Sequence, residues 1–183
     1  MQSSRLRILV EAAIMIALSA VLSMIKIWHL PYGGSVTLAS MVPILLIGLR
    51  HGPGWGFLAG LATGLIQSLI DPYVVHPVQY VLDYPLAFAV LGLAGLARNK
   101  STLAASVLGS LAIAARFVCH WLSGVVFFAS DAPAGQSPWL YSAIYNGTYL
   151  LPELIISVVA LYIILAALGR RMPERLETPD KHA

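Results

Sequence analysis

The chain has 183 residues, 58% of them hydrophobic and only 10% charged, with a mean hydropathy of +0.81. Soluble domains carry about 25% charged residues, so this composition excludes an ordinary soluble domain and points to an integral membrane protein. The formal net charge of +3 does not indicate a nucleic-acid partner, because the basic residues stand at segment ends rather than in one patch.

A spanning helix needs roughly 20 apolar residues, which leaves room for about six spans with short loops. Residues 1–7 are polar and basic, with Arg5 and Arg7. The first apolar segment runs from Ile8 to about Trp28, interrupted only by Glu11 and Lys26. A signal peptide is the alternative there, but no clear small-x-small cleavage site follows and the run is long for one. HLPYGGSVTLAS reads as a turn-rich loop. A short second span is expected from about Leu38 to Leu49, ending at the RHGPG run that starts at Arg50. The third covers about Trp55 to Ile70, the fourth about Val78 to Leu96, the fifth Thr102 to about Phe128, and the sixth about Leu140 to Leu168. The expected architecture is an all-α integral membrane protein. One six-helix membrane domain occupies residues 1–170 and a polar cytoplasmic tail occupies 171–183.

Charge sets the expected orientation. With the N-terminus in the cytoplasm, the inside segments hold nine of the eleven Lys and Arg residues. The outside loops at 29–37, 71–77 and 129–139 hold none. This is the pattern of the positive-inside rule and puts both termini inside. Trp28 and Trp139 fall at the outer boundary, where amphipathic rings are favoured. Cys119 is the single cysteine, so no intrachain disulfide forms, and its apolar surroundings suit a small packing residue.

Ionisable groups inside apolar runs are costly and face a cavity or each other. Asp83 and Tyr84 lie near the outer end of the fourth span, His120 in the fifth and Asn146 in the sixth. At 1.5 Å per residue, all lie roughly 10–15 Å below the outer surface, a convergence expected of a binding site open to the outside. For Asp83 there are two readings: an internal salt bridge to Arg116, or a carboxylate that receives a cationic ligand. Pro85 removes a backbone donor and is expected to kink the helix beside it. Arg116 and His120 are four apart and share a helix face, which Gly124 continues with no side chain, leaving space for a ligand. Tyr141, Tyr145 and Tyr149 recur every four residues. Such a stripe is packing, or beside Asp83 part of a cage for an organic cation. Gly56, Gly60 and Gly64 form a G-x-x-x-G repeat that permits close helix approach. Ala13 and Ala17 make a small-residue face on the first span. The Asn-x-Thr at Asn146 lies at membrane depth and is discounted as a glycosylation acceptor. GxxxxGK[ST] and HExxH motifs are absent, as is a clustered Cys/His set, so neither ATP hydrolysis nor a metal or cofactor is expected, and an enzyme has little support.

GGSVTLASMVPILLIGLR, HPVQYVLDYPLAF, RFVCHWLSGVVFFASDAPAG and WLYSAIYNGTYLLPE resemble the thiamine-specific substrate-binding subunits (S components) of energy-coupling factor (ECF) transporters. The resemblance covers nearly the whole chain. It implies a six-helix protein in a prokaryotic cell membrane that captures thiamine from outside. Such a protein docks on a transmembrane coupling subunit carrying two cytoplasmic ATPases. It further implies that Asp83 contacts the aminopyrimidine, with Tyr84 beside it. His120 and Phe128 pack on the thiazolium, Tyr141 and Asn146 add contacts, and Arg116 lies under the hydroxyethyl end. Tyr73 and Trp139 complete the candidate substrate-binding set. Ala13 and Ala17 match the docking face, and residues 29–37 match a lid. Some relatives carry Glu at the position of Asp83 and Trp at that of Phe128. A self-sufficient secondary transporter, coupled to protons through Asp83, His120 or Glu153, is the alternative. The lack of a clear inverted repeat weighs against it.

Overall fold

The computed structural model describes residues 2–30 and 34–168. In chain order it contains α1 (Gln2–Met24), β1 (Lys26–His29), β2 (Ser35–Thr37), α2 (Val42–His51), α3 (Pro53–Ile70), α4 (Pro77–Ala97), α5 (Thr102–Phe127) and α6 (Pro138–Leu168). Most of α1 (Arg5–Met24) and all of α4, α5 and α6 are long and apolar enough to cross a membrane. The chain is thus a helical, multi-pass membrane protein. The tail expected over 171–183 lies outside the described residues.

Two sequence expectations change. First, α1 ends at Met24, and the segment read as its continuation turns into β1. β1 pairs antiparallel with β2, Trp28 facing Val36 and His29 facing Ser35, so the first loop is a small β-hairpin rather than irregular chain. Second, the span expected over Leu38–Leu49 is a ten-residue helix, α2. At 1.5 Å per residue it measures about 15 Å, half the roughly 30 Å of a hydrocarbon core. Ile44, Leu45, Ile47 and Leu49 are buried, so α2 is a core helix enclosed by the others. Gly52, at φ 96°, separates α2 from α3, and Pro53 opens α3 at a position where its missing N–H costs nothing.

Helix α4 is irregular where the site will lie. Leu82–Leu86 forms a π-helical turn around the buried Pro85, and Val90–Ala97 tightens to 3₁₀ geometry. Proline cannot donate in an α-helical ladder and clashes with the preceding turn, which the wider π turn relieves. The glycine repeat of α3 seats that helix against α4. A Cβ on Gly56 would stand 2.8 Å from the Cα atoms of both Gly48 and Gly92. One on Gly60 or Gly64 would strike the α4 backbone at Phe88 or Tyr84. The repeat is therefore structural, as its spacing suggests. Gly92 meets the backbone of Gly56 and Phe57, which cannot rotate aside. We expect Gly92→Leu to abolish monodisperse protein in detergent, or to lower the unfolding midpoint sharply, because overpacking costs about 1–3 kcal/mol even where side chains can yield. A thermal unfolding series by size-exclusion chromatography checks this.

Helix α1 packs at the periphery on α2, α3 and β2. Ala12 and Ser19 turn inward, whereas Ala13 and Ala17 are exposed among Val10, Ile14 and Leu18. The two charges that interrupt the first apolar segment are both paired. Glu11 meets Arg50 at 2.9 Å and His51 at 3.1 Å at the end of α2. Lys26 meets Asp71 at 2.7 Å, linking the hairpin to the loop after α3.

Candidate functional site

The π turn of α4 aims Asp83 at α5. Asp83 Oδ1 lies 3.0 Å from His120 Nδ1, and Oδ2 accepts hydrogen bonds from Gln79 Nε2 (2.7 Å) and Ser123 Oγ (2.8 Å). Arg116 Nε donates to His120 Nε2 at 3.3 Å. With Nε2 facing the Arg116 donor, Nδ1 is the ring nitrogen turned toward Asp83. The salt bridge between Asp83 and Arg116 offered by the sequence does not form; His120 stands between them. The Arg116 guanidinium instead lies 4.0 Å from the Phe88 ring centre. Spacing alone could not tell these arrangements apart, since the partner of Asp83 is fixed by how α4 and α5 pack.

Around this group lies a cavity of about 220 Å³. It is lined by Tyr73, Asp83, Tyr84, Arg116, His120, Phe128, Tyr141 and Asn146, all of them sequence-predicted. Trp139 is not in its wall. It is half-exposed, edge-on to Trp121, and its carbonyl accepts from Trp121 Nε1 at 2.9 Å. The cavity wall carries four carboxylates (Asp71, Asp83, Asp131 and Glu153) against two cations, Lys26 and Arg116. The excess is two negative charges. Aromatic rings supply the rest of the surface: Tyr73 stacks on Phe128 at 5.8 Å, and Tyr141, Tyr145 and Tyr149 form a continuous ladder at 6.2 and 6.1 Å. A negative, ring-lined cavity favours an organic cation.

One expected detail is corrected. The position beside Gly124 is not free space, because Ser142 fills it; a Cβ there would collide with the Ser142 side chain. Gly124 thus allows α6 to approach α5. Asn146 is in the wall, and its amide is bonded within the protein. Nδ2 donates to the Ser142 carbonyl at 2.9 Å, and Oδ1 accepts from Tyr149 at 2.7 Å. Tyr84 is likewise bonded, donating to the Asp71 carbonyl (2.8 Å) and accepting from Tyr73 N–H (2.7 Å), so it ties down the loop after α3.

The hairpin covers the cavity and is held on α6 by residues at i, i+4 and i+8. Tyr145 accepts from the Gly34 N–H at 3.2 Å, and the Tyr149 ring fills the space where a Gly34 side chain would stand. Glu153 Oε1 accepts from the Thr37 N–H at 2.6 Å and from the Thr37 hydroxyl. On the far side the hairpin is joined by the Lys26–Asp71 pair. Sequence reasoning missed Gln79, Ser123, Thr37 and Lys26. Gln79 precedes Asp83 by one helical turn and Ser123 follows His120 by three residues, so both shared a face with a singled-out residue. Lys26 was visible as a charge in an apolar run.

Residues 9–172 match the model of the thiamine transporter protein family (Thia_YuaJ). The chain is also 38% identical to the thiamine transporter ThiT of Bacillus subtilis, over 92% of this chain and 95% of that one. It belongs to the thiamine transporter family. Another relative, ThiT of Lacticaseibacillus paracasei, is 29% identical over 90% of this chain and 89% of its own. A solved structure of ThiT from Listeria monocytogenes superposes with a TM-score of 0.78 at 27% identity, covering 91% of this chain and 97% of that one. The fold described here is therefore shared with that structure over nearly its whole length.

Proposed function

We propose that the protein captures thiamine from outside a prokaryotic cell, as the S component of an ECF-type importer. The observation that carries this reading is Asp83, a carboxylate fixed by three donors inside a negative, aromatic cavity of a thiamine-transporter-family chain. Thiamine combines a thiazolium whose charge cannot be titrated away with an aminopyrimidine that donates hydrogen bonds. The carboxylate excess answers the first, the rings accommodate both heterocycles, and Asp83 has remaining acceptor capacity for the amine. Phe88 takes up one face of Arg116, which keeps that cation near the wall and away from the thiazolium.

In this reading the bundle as a whole spans the membrane, both termini are cytoplasmic, and the hairpin is the outer lid. Energy comes from elsewhere: the protein docks through Ala13 and Ala17 on a coupling subunit that carries two ATPases. The test is a titration of the purified protein in detergent with thiamine, riboflavin and biotin, followed by tryptophan fluorescence and calorimetry. One-site, saturable binding of thiamine alone is expected. A well-folded sample that ignores thiamine would overturn the substrate assignment.

A further inference from the structure

Glu153 is 3% exposed, stands in the cavity wall, and uses one oxygen only. Oε1 holds Thr37 of the hairpin, while Oε2 has no hydrogen-bond partner among the described residues. A buried acceptor left unmade costs about 1–3 kcal/mol, so such an atom in a cavity wall is matched to a donor that arrives later. Its neighbours narrow the choice of donor. Arg116 acts on Glu153 electrostatically but makes no salt bridge to it, and Tyr149, one turn earlier on α6, is committed to Asn146. Oε2 thus has no donor within hydrogen-bond distance among the described residues, and stands positioned for one.

Resting on the reading of thiamine as ligand, we propose that Glu153 is a specificity-determining residue: Oε2 accepts the hydroxyl of the ligand's hydroxyethyl arm while Oε1 keeps hold of the hairpin. One carboxylate then joins ligand to lid, and an arm without a donor leaves Oε2 unsatisfied. Asp83 would select the aminopyrimidine at one end and Glu153 the alcohol at the other. Discrimination of this kind is large, because a site built around a hydroxyl is left with an unpaired polar group when the hydroxyl is missing.

The test is a cycle of two ligands and three proteins, read by calorimetry: thiamine and its analogue with ethyl in place of hydroxyethyl, against wild type, Glu153→Ala and Thr37→Val. Wild type should prefer thiamine at least tenfold. Glu153→Ala should bring that ratio close to one, whereas Thr37→Val, which loosens the hairpin, should weaken both ligands alike and keep the ratio. Equal affinity of wild type for both ligands overturns the proposal. So does a Glu153→Ala protein that loses both ligands by the same factor, since Glu153 would then act through the lid alone. If Glu153→Ala does not yield monodisperse protein, Glu153→Gln replaces it, keeping an acceptor for Thr37 and presenting an amide donor to the ligand. That protein should bind the methyl ether of thiamine as well as thiamine itself, while wild type rejects the ether; rejection by both overturns the assignment. Failure of wild type to bind thiamine at all counts against the substrate reading and is distinct from each of these outcomes.

Discussion

Asp83→Ala should weaken thiamine binding at least tenfold while the protein still purifies as a monodisperse species. Two losses combine. The ligand loses a charge-assisted acceptor, worth about 1.5–3 kcal/mol, or roughly 10- to 150-fold in affinity. The protein loses the common acceptor of Gln79, Ser123 and His120, so three donors are left facing a hole. Asp83→Asn separates the effects. It keeps the volume but presents an amide where two donors already converge, and so should be no better than Ala. Asp83→Glu keeps the charge and should retain most of the affinity. The Ser123→Ala variant is the control: it removes one supporting bond and should cost far less than loss of the carboxylate. Isothermal titration on each variant measures this, and unchanged affinity in Asp83→Ala would remove Asp83 from the site.

The parts of this site that were legible in the sequence were those that violated their surroundings. Asp83, Arg116 and His120 are polar groups in apolar helices, and the cost of placing them there makes them visible without a fold. The glycines of α3 were legible for the same reason, since a fixed four-residue spacing has one common use. The hairpin was not legible, because Ile27 and Trp28 extend an apolar run begun in α1, and strands of four and three residues are too short to show alternation. The enclosure of α2 was hidden as well: ten apolar residues look alike whether lipid or other helices surround them. Pairings across helices were the least accessible. Whether Asp83 meets Arg116 or His120, and whether Gly124 faces ligand or Ser142, depends on a rotation of α5 that no local pattern records.

The exposed face of α1 leads to the second large effect, on transport rather than binding. Ala13 and Ala17 lie one turn apart on a helix that packs mainly on α2, α3 and β2 among the described residues, and both are exposed. Lipid alone would be served equally well by Leu or Ile, as at Leu9, Ile14 and Leu18 nearby. Small residues at i and i+4 matter where another helix must approach closely, because in a bilayer packing replaces the hydrophobic effect as the force between helices. A Trp at either position would hold such a helix off by several ångströms, and both positions are exposed among the described residues. Ala13→Trp and Ala17→Trp should therefore bind thiamine as wild type does. Reconstituted with the coupling subunit and its ATPases, both should lose thiamine uptake, and pull-down of the coupling subunit should fall in parallel. The cavity sets a clean internal control, since Asp83→Ala should do the reverse: dock, but carry nothing at low thiamine. Normal uptake in both tryptophan variants would move the docking surface off α1. Loss of binding together with uptake would mean that the face packs within the protein, which the exposure of both alanines argues against.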